Sequence, residues 1–344
     1  MRAPPPIKKE YDLSIVIPSR NEEWLARTIQ DILEHREGKT EVIAVLDGSW
    51  GINPIPMHPD VTVIYHPISV GQRAGTNDAV KLSKAKYVLK LDAHCSMDQG
   101  FDRKMLEAFE EVGDDVTMAP TLRNLWAFDW VCKKCGNRWY QGPTPEFCCS
   151  DKKGKVKNEL CDSKDFERDI KWIAKERPQN TSFCFDTTLH FQYNSKYMKK
   201  QEGDLVETMS LQGSCFMLTR ERYWDLNICD EAHGSWGQQG TEVACASWLS
   251  GGRVLVNRRT YYGHLFRTQG GDFSFPYPNP GNKVEKARKY SRDLWFNNKH
   301  KKQILPLSWL VEKFNPPYWN EPEGAKVLEM VNKAGEEFKK VNTP

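Results

Sequence analysis

Asp92-Ala93-His94 closes the apolar run Tyr87-Val88-Leu89-Lys90-Leu91. A strand over that run sets both ligand-type side chains at its carboxyl end, and residues i and i+2 of an extended chain point the same way. A carboxylate oxygen beside an imidazole nitrogen suits Mn2+ (or Mg2+), an ion that also bridges phosphate oxygens. The same tripeptide equally suits a turn in which Asp92 bonds nearby amides and His94 is incidental. A second group is Cys132-Lys-Lys-Cys135-Gly136, followed by Cys148, Cys149 and Cys161. CxxC with two more cysteines within about thirty residues fits tetrahedral zinc, against catalytic or redox thiols. Cys161 with either Cys148 or Cys149 completes four ligands, and four thiolates leave no open position, so the expected role is structural. Cys95, Cys184, Cys215, Cys229 and Cys245 stand singly and read as small buried residues.

These groups need elements to position them. Apolar runs at 14–18, 41–46, 61–65, 87–91 and 116–120 alternate with helical patterns at 22–35, 72–83 and 101–111. Such alternation marks βα units on a mostly parallel sheet, where ligands bind at the carboxyl ends of the strands. Asn21-Glu22, Asp47-Gly48-Ser49 and Asp92-Ala93-His94 all follow such runs. The alternation fails from about 129 to 204, which reads as an inserted module around zinc. Regular structure resumes with a strand near 210–219, helices from 221 and over 241–250, and a strand at 254–257. The stretch 268–281, with three Gly and three Pro, reads as a lid loop. A basic amphipathic helix over 283–298 and a last helix over 324–341 follow.

The chain has 344 residues, 39% apolar and 28% charged, with 12 Trp, 12 Tyr and 15 Phe, which excludes a disordered, collagen-like or coiled-coil protein. No stretch reaches the ~20 apolar residues of a membrane span. The N-terminus MRAPPPIKKEYDLSIVIP lacks the pattern of a secretory leader, so a cytoplasmic location is expected, in a host cell if the protein is viral. The net charge of +3 conceals two segments of +6, at 130–201 and 283–302, on a body of −9. Aromatics interleave both (Trp130, Trp139, Tyr140, Trp172, Trp295, Phe296), a composition that stacks bases and binds phosphates, although the basic helix also fits a solvated face.

The order SIVIPSRNE, LDGS, LDAHC, and then Trp236-Gly237, Glu242, Trp248, Gly251-Gly252, Gly263-His264-Leu265-Phe266-Arg267 and Phe275-Pro276, resembles the GT-A-fold glycosyltransferases of family 2. The closer resemblance is to the catalytic domain of the polypeptide N-acetylgalactosaminyltransferases. It implies an α/β GT-A (Rossmann-like, nucleotide-diphospho-sugar transferase) fold with four parts: nucleotide-sugar-binding residues 1–128, the cysteine-rich insertion 129–204, acceptor and metal residues 205–300, and a C-terminal extension 301–344. It implies that Asp92, His94 and His264 hold Mn2+, that Arg267 meets the donor phosphates as the lid closes, and that Phe273 and Phe275 anchor the lid. Glu22 and Asp47 fall where the family holds uridine and ribose, and Arg73 where donor contacts are expected.

Departures from the family narrow this reading. Family 2 places an acidic pair, one member a base for inverting transfer, where this chain has Gln239-Gly240; the N-acetylgalactosaminyltransferases carry Glu-Asn there. Gln239, Glu242 and Arg267 are therefore the candidate catalytic residues, a retaining mechanism is favoured, and the sugar is open. Glu242 equally fits a residue complementing a helix dipole. The expected function is metal-dependent transfer from a UDP-sugar to a hydroxyl. A hydroxymethylated DNA base, flipped to reach the anomeric carbon, is the first acceptor considered. Protein Ser/Thr or a polysaccharide is the alternative, and a non-catalytic zinc-dependent nucleic-acid-binding protein is the reading from another class.

Overall fold

The computed structural model describes residues 10–148, 161–267, 270–278 and 281–342. Four parallel strands form its centre: β1 (Tyr11–Ser19), β2 (Thr40–Asp47), β3 (Val61–His66) and β4 (Ala85–Leu91), in the order β3-β2-β1-β4. Helix α1 (Leu25–His35) crosses from β1 to β2, and α2 (Gln72–Leu82) from β3 to β4. The period of two along β1 decides what each face meets. Leu13, Ile15 and Ile17 pack with Ile29 and Ile32 of α1 and with Phe101, Met105 and Phe109 of α3 (Phe101–Val112), whereas Val16 joins the cluster on the opposite face. In α1 the buried Leu25, Thr28, Ile29 and Ile32 recur at helical spacing, so one stripe of the helix faces the sheet.

Beyond β4 the sheet continues through antiparallel and parallel partners. After β5 (Cys95–Met97), β6 (Val116–Cys132) runs for 17 residues, continuous past the expected boundary at 128/129. Its outer half pairs antiparallel with β7 (Arg138–Tyr140) and β8 (Phe166–Asn180). The cysteine-rich insertion is therefore an arm of the main sheet carrying the thiols at its tip. The short strands β9 (Phe183–Phe185) and β10 (Phe191–Tyr193) form a separate ribbon, followed by α4 (Ser195–Met198) and β11 (Leu205–Glu207). Strand β12 (Cys215–Thr219) lies antiparallel to β4, and α5 (Arg220–Asp225) and α6 (Gln239–Leu249) follow. Strand β13 (Arg253–His264) pairs parallel with β6, with a register shift between Asn257 and Tyr261, and so extends well past the expected 254–257.

Helices α7 (Gly281–Phe296), α8 (Leu307–Phe314) and α9 (Pro322–Asn342) complete the chain. The described part of the C-terminal extension packs on the body of the fold: Leu307, Leu310, Val311 and Phe314 are buried with Trp248 and Trp295, and the Trp319 indole donates to the Phe185 carbonyl at 2.9 Å. Cys95, Cys184, Cys215, Cys229 and Cys245 are all buried, as their isolated positions suggest. Among the described residues no helix is long and apolar enough to cross a membrane.

Candidate active site

The carboxyl ends of β1, β2 and β4 converge on a cavity of about 290 Å³, closed from above by the lid residues Phe275–Pro278. Glu22, Asp47, Asp92, His94, His264 and Arg267 line it. Asp92 and His94 leave the end of β4, and His264 ends β13, so residues 170 positions apart meet because β5 pairs with β13. The His94 and His264 Nε2 atoms lie 3.1 Å apart, and His264 Nε2 lies 3.4 Å from Asp92 Oδ2.

This cluster fits a divalent ion on its own chemistry. His94 Nδ1 lies 3.1 Å from Glu22 Oε2, and a proton held between them would leave the Nε2 lone pair for an ion. Burial pushes the His264 imidazole down to about 4, so it is neutral, and a proton on its Nδ1, which has no partner among the described residues, would leave the Nε2 lone pair for an ion. Three acceptor atoms within 4.8 Å, two imidazole and one carboxylate, form the donor set of a Mn2+-type site. Glu22 orients His94 as an outer carboxylate orients a metal-bound imidazole. It also accepts from the Arg267 guanidinium and from Trp24 N. Burial opposes the charge on Glu22, but His94 and Arg267 hold its carboxyl below the ordinary value.

Lys90 is a buried residue beside the cluster that the motifs do not mark. Its side chain is 1% exposed, and its ammonium bonds both Asp92 Oδ1 and the Gly213 carbonyl, the latter at 2.8 Å. One oxygen of Asp92 is thus held by Lys90, and the other faces His264 at the centre of the cluster. Burial opposes ionisation of Asp92, and Lys90 overcomes it, holding the carboxyl well below its usual range. A lysine interrupting an apolar run two residues before an acidic ligand was the available signal. Gln72, Gln212, Trp236, Tyr277 and Lys283 also line the cavity without having been assigned roles.

Asp47 lines the cavity but is engaged: it accepts from Ser69 Oγ at 2.8 Å, Val70 N at 2.6 Å and Gly71 N at 3.0 Å, fixing the turn before α2. Arg73, Glu242 and Gln239 correct the expected placement, since none of them lines the cavity. Arg73 Nε and Nη2 donate to Glu242 Oε2 at 2.9 and 2.6 Å, with side chains 1% and 2% exposed. The same guanidinium donates to the carbonyls of Gly234 and Gly237, clamping the loop whose Ser235 and Trp236 form cavity wall. Glu242 Oε1 accepts from Asp230 N at 2.9 Å. Burial, against the pull of Arg73, pushes Glu242 up to about 7. Gln239 accepts from Gln72 Nε2 at 2.9 Å and so supports the wall from behind. Its neighbour Gly240 packs against the 211–213 turn so closely that a Cβ there would fall 1.9 Å from the Leu211 carbonyl oxygen. Phe273 sits outside the cavity as the lid's anchor, 5.9 Å from the Phe128 ring, whereas Phe275 reaches in against Trp236 at 5.5 Å.

At the tip of the arm, Cys132, Cys135, Cys148 and Cys161 place their sulfurs within 4.8 Å of one another. Cys132 and Cys161 are 3.9 Å apart and Cys135 and Cys148 3.2 Å; tetrahedral Zn–S bonds of about 2.3 Å imply roughly 3.8 Å between sulfurs. Against desolvation, the backbone amides of Cys135 and Lys134 lower the Cys132 thiol, whereas burial and the neighbouring thiols raise Cys148, and Cys161 also moves up, so without an ion the set does not ionise together. Cys149 lies outside the described residues.

Residues 14–130 match the family model described as Glycosyl transferase family 2. The chain has the GT-A fold. A Drosophila melanogaster protein provisionally designated polypeptide N-acetylgalactosaminyltransferase 13 is 24% identical over 94% of this chain and 52% of its own length. Homo sapiens polypeptide N-acetylgalactosaminyltransferase 13 is 23% identical over 82% and 45%. The crystal structure of GalNAc-T7 with UDP, GalNAc and Mn2+ superposes with a TM-score of 0.57 at 17% identity, covering 96% of this chain and 56% of that one. The GT-A chain thus spans about half the length of the curated relatives it matches.

Proposed function

We propose that this chain transfers a sugar from a UDP-sugar to a Ser/Thr hydroxyl of a polypeptide, with Mn2+ held by Asp92, His94 and His264. The observation that carries the reading is the convergence of those three ligands at the floor of a lidded cavity. A divalent cation supplies charge neutralisation for the departing diphosphate. Arg267, beside it, adds a guanidinium to the same end of the cavity, and Phe275 and Tyr277 exclude water that would compete with the acceptor. Each acid lining the cavity is committed: Glu22 to His94 and Arg267, Asp47 to the turn before α2, and Asp92 to Lys90 and His264. With no carboxylate among the described cavity-lining residues left to deprotonate the acceptor, the arrangement favours retention of configuration.

The polypeptide acceptor is supported by the names of the relatives. On the arm Lys133 pairs with Asp165 at 3.1 Å, Lys134 with Asp162 at 3.0 Å and Lys171 with Asp169 at 2.8 Å, and on α7 Arg292 and Arg288 share Glu285. These acids are already counted in the +6 of each segment, so the charge layout does not choose between acceptors, and the comparisons lend nothing to the hydroxymethylated-DNA acceptor. Purified protein, Mn2+ and a panel of UDP-sugars, incubated with Ser/Thr peptides and separately with hydroxymethylated DNA, tests this by mass spectrometry. A hexose or N-acetylhexosamine increment on peptide is expected. An increment only on DNA overturns the acceptor, and the absence of Mn2+-dependent UDP binding overturns the donor site.

The second metal in this reading is a structural zinc on Cys132, Cys135, Cys148 and Cys161. Among the described residues, Trp139 and Phe166 pack with these thiols in the arm's tip cluster, a small apolar group for a metal to reinforce. Cys132→Ser is expected to reduce bound zinc from about one equivalent to near zero and to lower the melting temperature. Unchanged zinc would remove Cys132 as a ligand.

A further inference from the structure

The loop between the second and third zinc thiols reaches the lid. Gln141, buried, follows β7; its side chain accepts from Ala127 N at 2.6 Å and donates to the Leu125 carbonyl at 2.9 Å. The Trp130 indole donates to the Gly142 carbonyl at 3.0 Å. Thr144, four positions before Cys148, donates through its amide (3.0 Å) and its hydroxyl to the Asp272 carboxylate in the lid. A Cβ on Gly271 would lie 3.2 Å from Pro143. The next lid residue, Phe273, is 7% exposed in a cluster with Trp24, Leu125, Phe128, Trp172 and Leu265, and two residues later Phe275 enters the donor cavity.

We propose that the zinc site moors the donor lid: by tying Cys135 to Cys148 the ion closes the 141–147 loop, whose Thr144 holds Asp272 and thereby sets Phe275 and Tyr277 over the nucleotide. Thr144 and Asp272 are positioning residues, and neither lines the cavity. Without the ion the segment keeps its anchors at Gln141 and Gly142 but loses the tether at Cys148, so part of the loop's closure entropy is no longer already met when the lid docks. Linkage makes the effect reciprocal: nucleotide under the lid strengthens zinc retention by the factor by which zinc strengthens nucleotide binding. This inference rests on the transfer reading for its nucleotide, but the mooring can be measured without one.

Hydrogen exchange on the full chain reads it directly. In Cys135→Ser, which loses zinc, amides of residues 270–278 should exchange faster while those of β1 and β2 keep their protection. In Asp272→Ala, zinc should stay at one equivalent and the same lid amides should loosen, with the UDP dissociation constant in Mn2+ rising about tenfold. The double variant should be no worse than either alone. Lid exchange unchanged in Asp272→Ala, or zinc absent from the wild-type protein, overturns the mooring. If Cys135→Ser fails to fold, Asp272→Ala decides alone. Failure of the wild type to bind UDP would overturn the transfer reading, while lid exchange in Asp272→Ala would still decide this one.

Discussion

His264→Ala is expected to lower Mn2+-dependent kcat/KM on the order of 10³-fold with little change in folding. The residue ends β13, where its backbone pairing with Cys95 in β5 does not depend on the imidazole. Removing the ring deletes one of three ligand atoms and leaves Asp92 Oδ2 and His94 Nε2 without the group that faces both. Asp92→Asn should reproduce the loss, since the amide oxygen can still accept from Lys90 but no longer carries the charge that holds a divalent ion. The measurement is UDP affinity titrated against Mn2+: steep for the wild type and flat for both variants. A His264→Ala protein whose UDP binding still rises with Mn2+ to the wild-type level would exclude His264 from the metal site.

Arg73→Met is expected to destabilise the fold by about 3–5 kcal/mol, because it strands the buried Glu242 carboxylate. The sign of its pH dependence follows from the folded-state value of about 7 against an ordinary 4.5. The folded wild type binds a proton on Glu242 between those values that the unfolded chain does not, so this group's contribution to stability falls as pH rises through that window. Losing Arg73 raises the folded value further. The variant's deficit should therefore be largest at neutral and alkaline pH and shrink toward pH 4.5, where the stranded carboxyl is protonated in both proteins. Adding Glu242→Gln should recover most of the loss at pH 8. Urea melts at pH 5 and pH 8 check both points, and a deficit equal at the two pH values would show that Glu242 does not carry the stranded charge. The Gly234–Gly237 loop loses its clamp as well, so donor KM should rise even where the protein remains folded.

The βα frame was legible because each crossover is local: an apolar run, a turn and an amphipathic stripe lie within some thirty residues. Strands β1, β2 and β4 and helices α1, α2 and α3 accordingly fall within a few residues of their sequence bounds. Strand β6 was read only to Pro120 because its outer half alternates with Arg123, Asn124 and Asp129. What makes that half a strand is pairing with β8, a partner tens of residues away that no local pattern names. The thiol group was legible from spacing alone. His264 was reachable only through resemblance, since nothing near it in sequence marks it as a ligand. Arg73 and Glu242 were misplaced for a related reason: residues 169 apart cancel each other's charge in the interior, and each alone looks like a substrate contact.

Gly240 limits how this chain could be turned toward another sugar. With the Leu211 carbonyl oxygen 1.9 Å from where any side chain would begin, the asparagine that the N-acetylgalactosaminyltransferases carry at this point cannot be introduced alone. The turn at 211–213 would have to retreat first, and Gly213 in that turn is the acceptor for Lys90 beside the metal ligand. A sugar swap is thus a compound inheritance: two segments must change together, and the first step taken alone disturbs the ion-binding floor before the new preference exists.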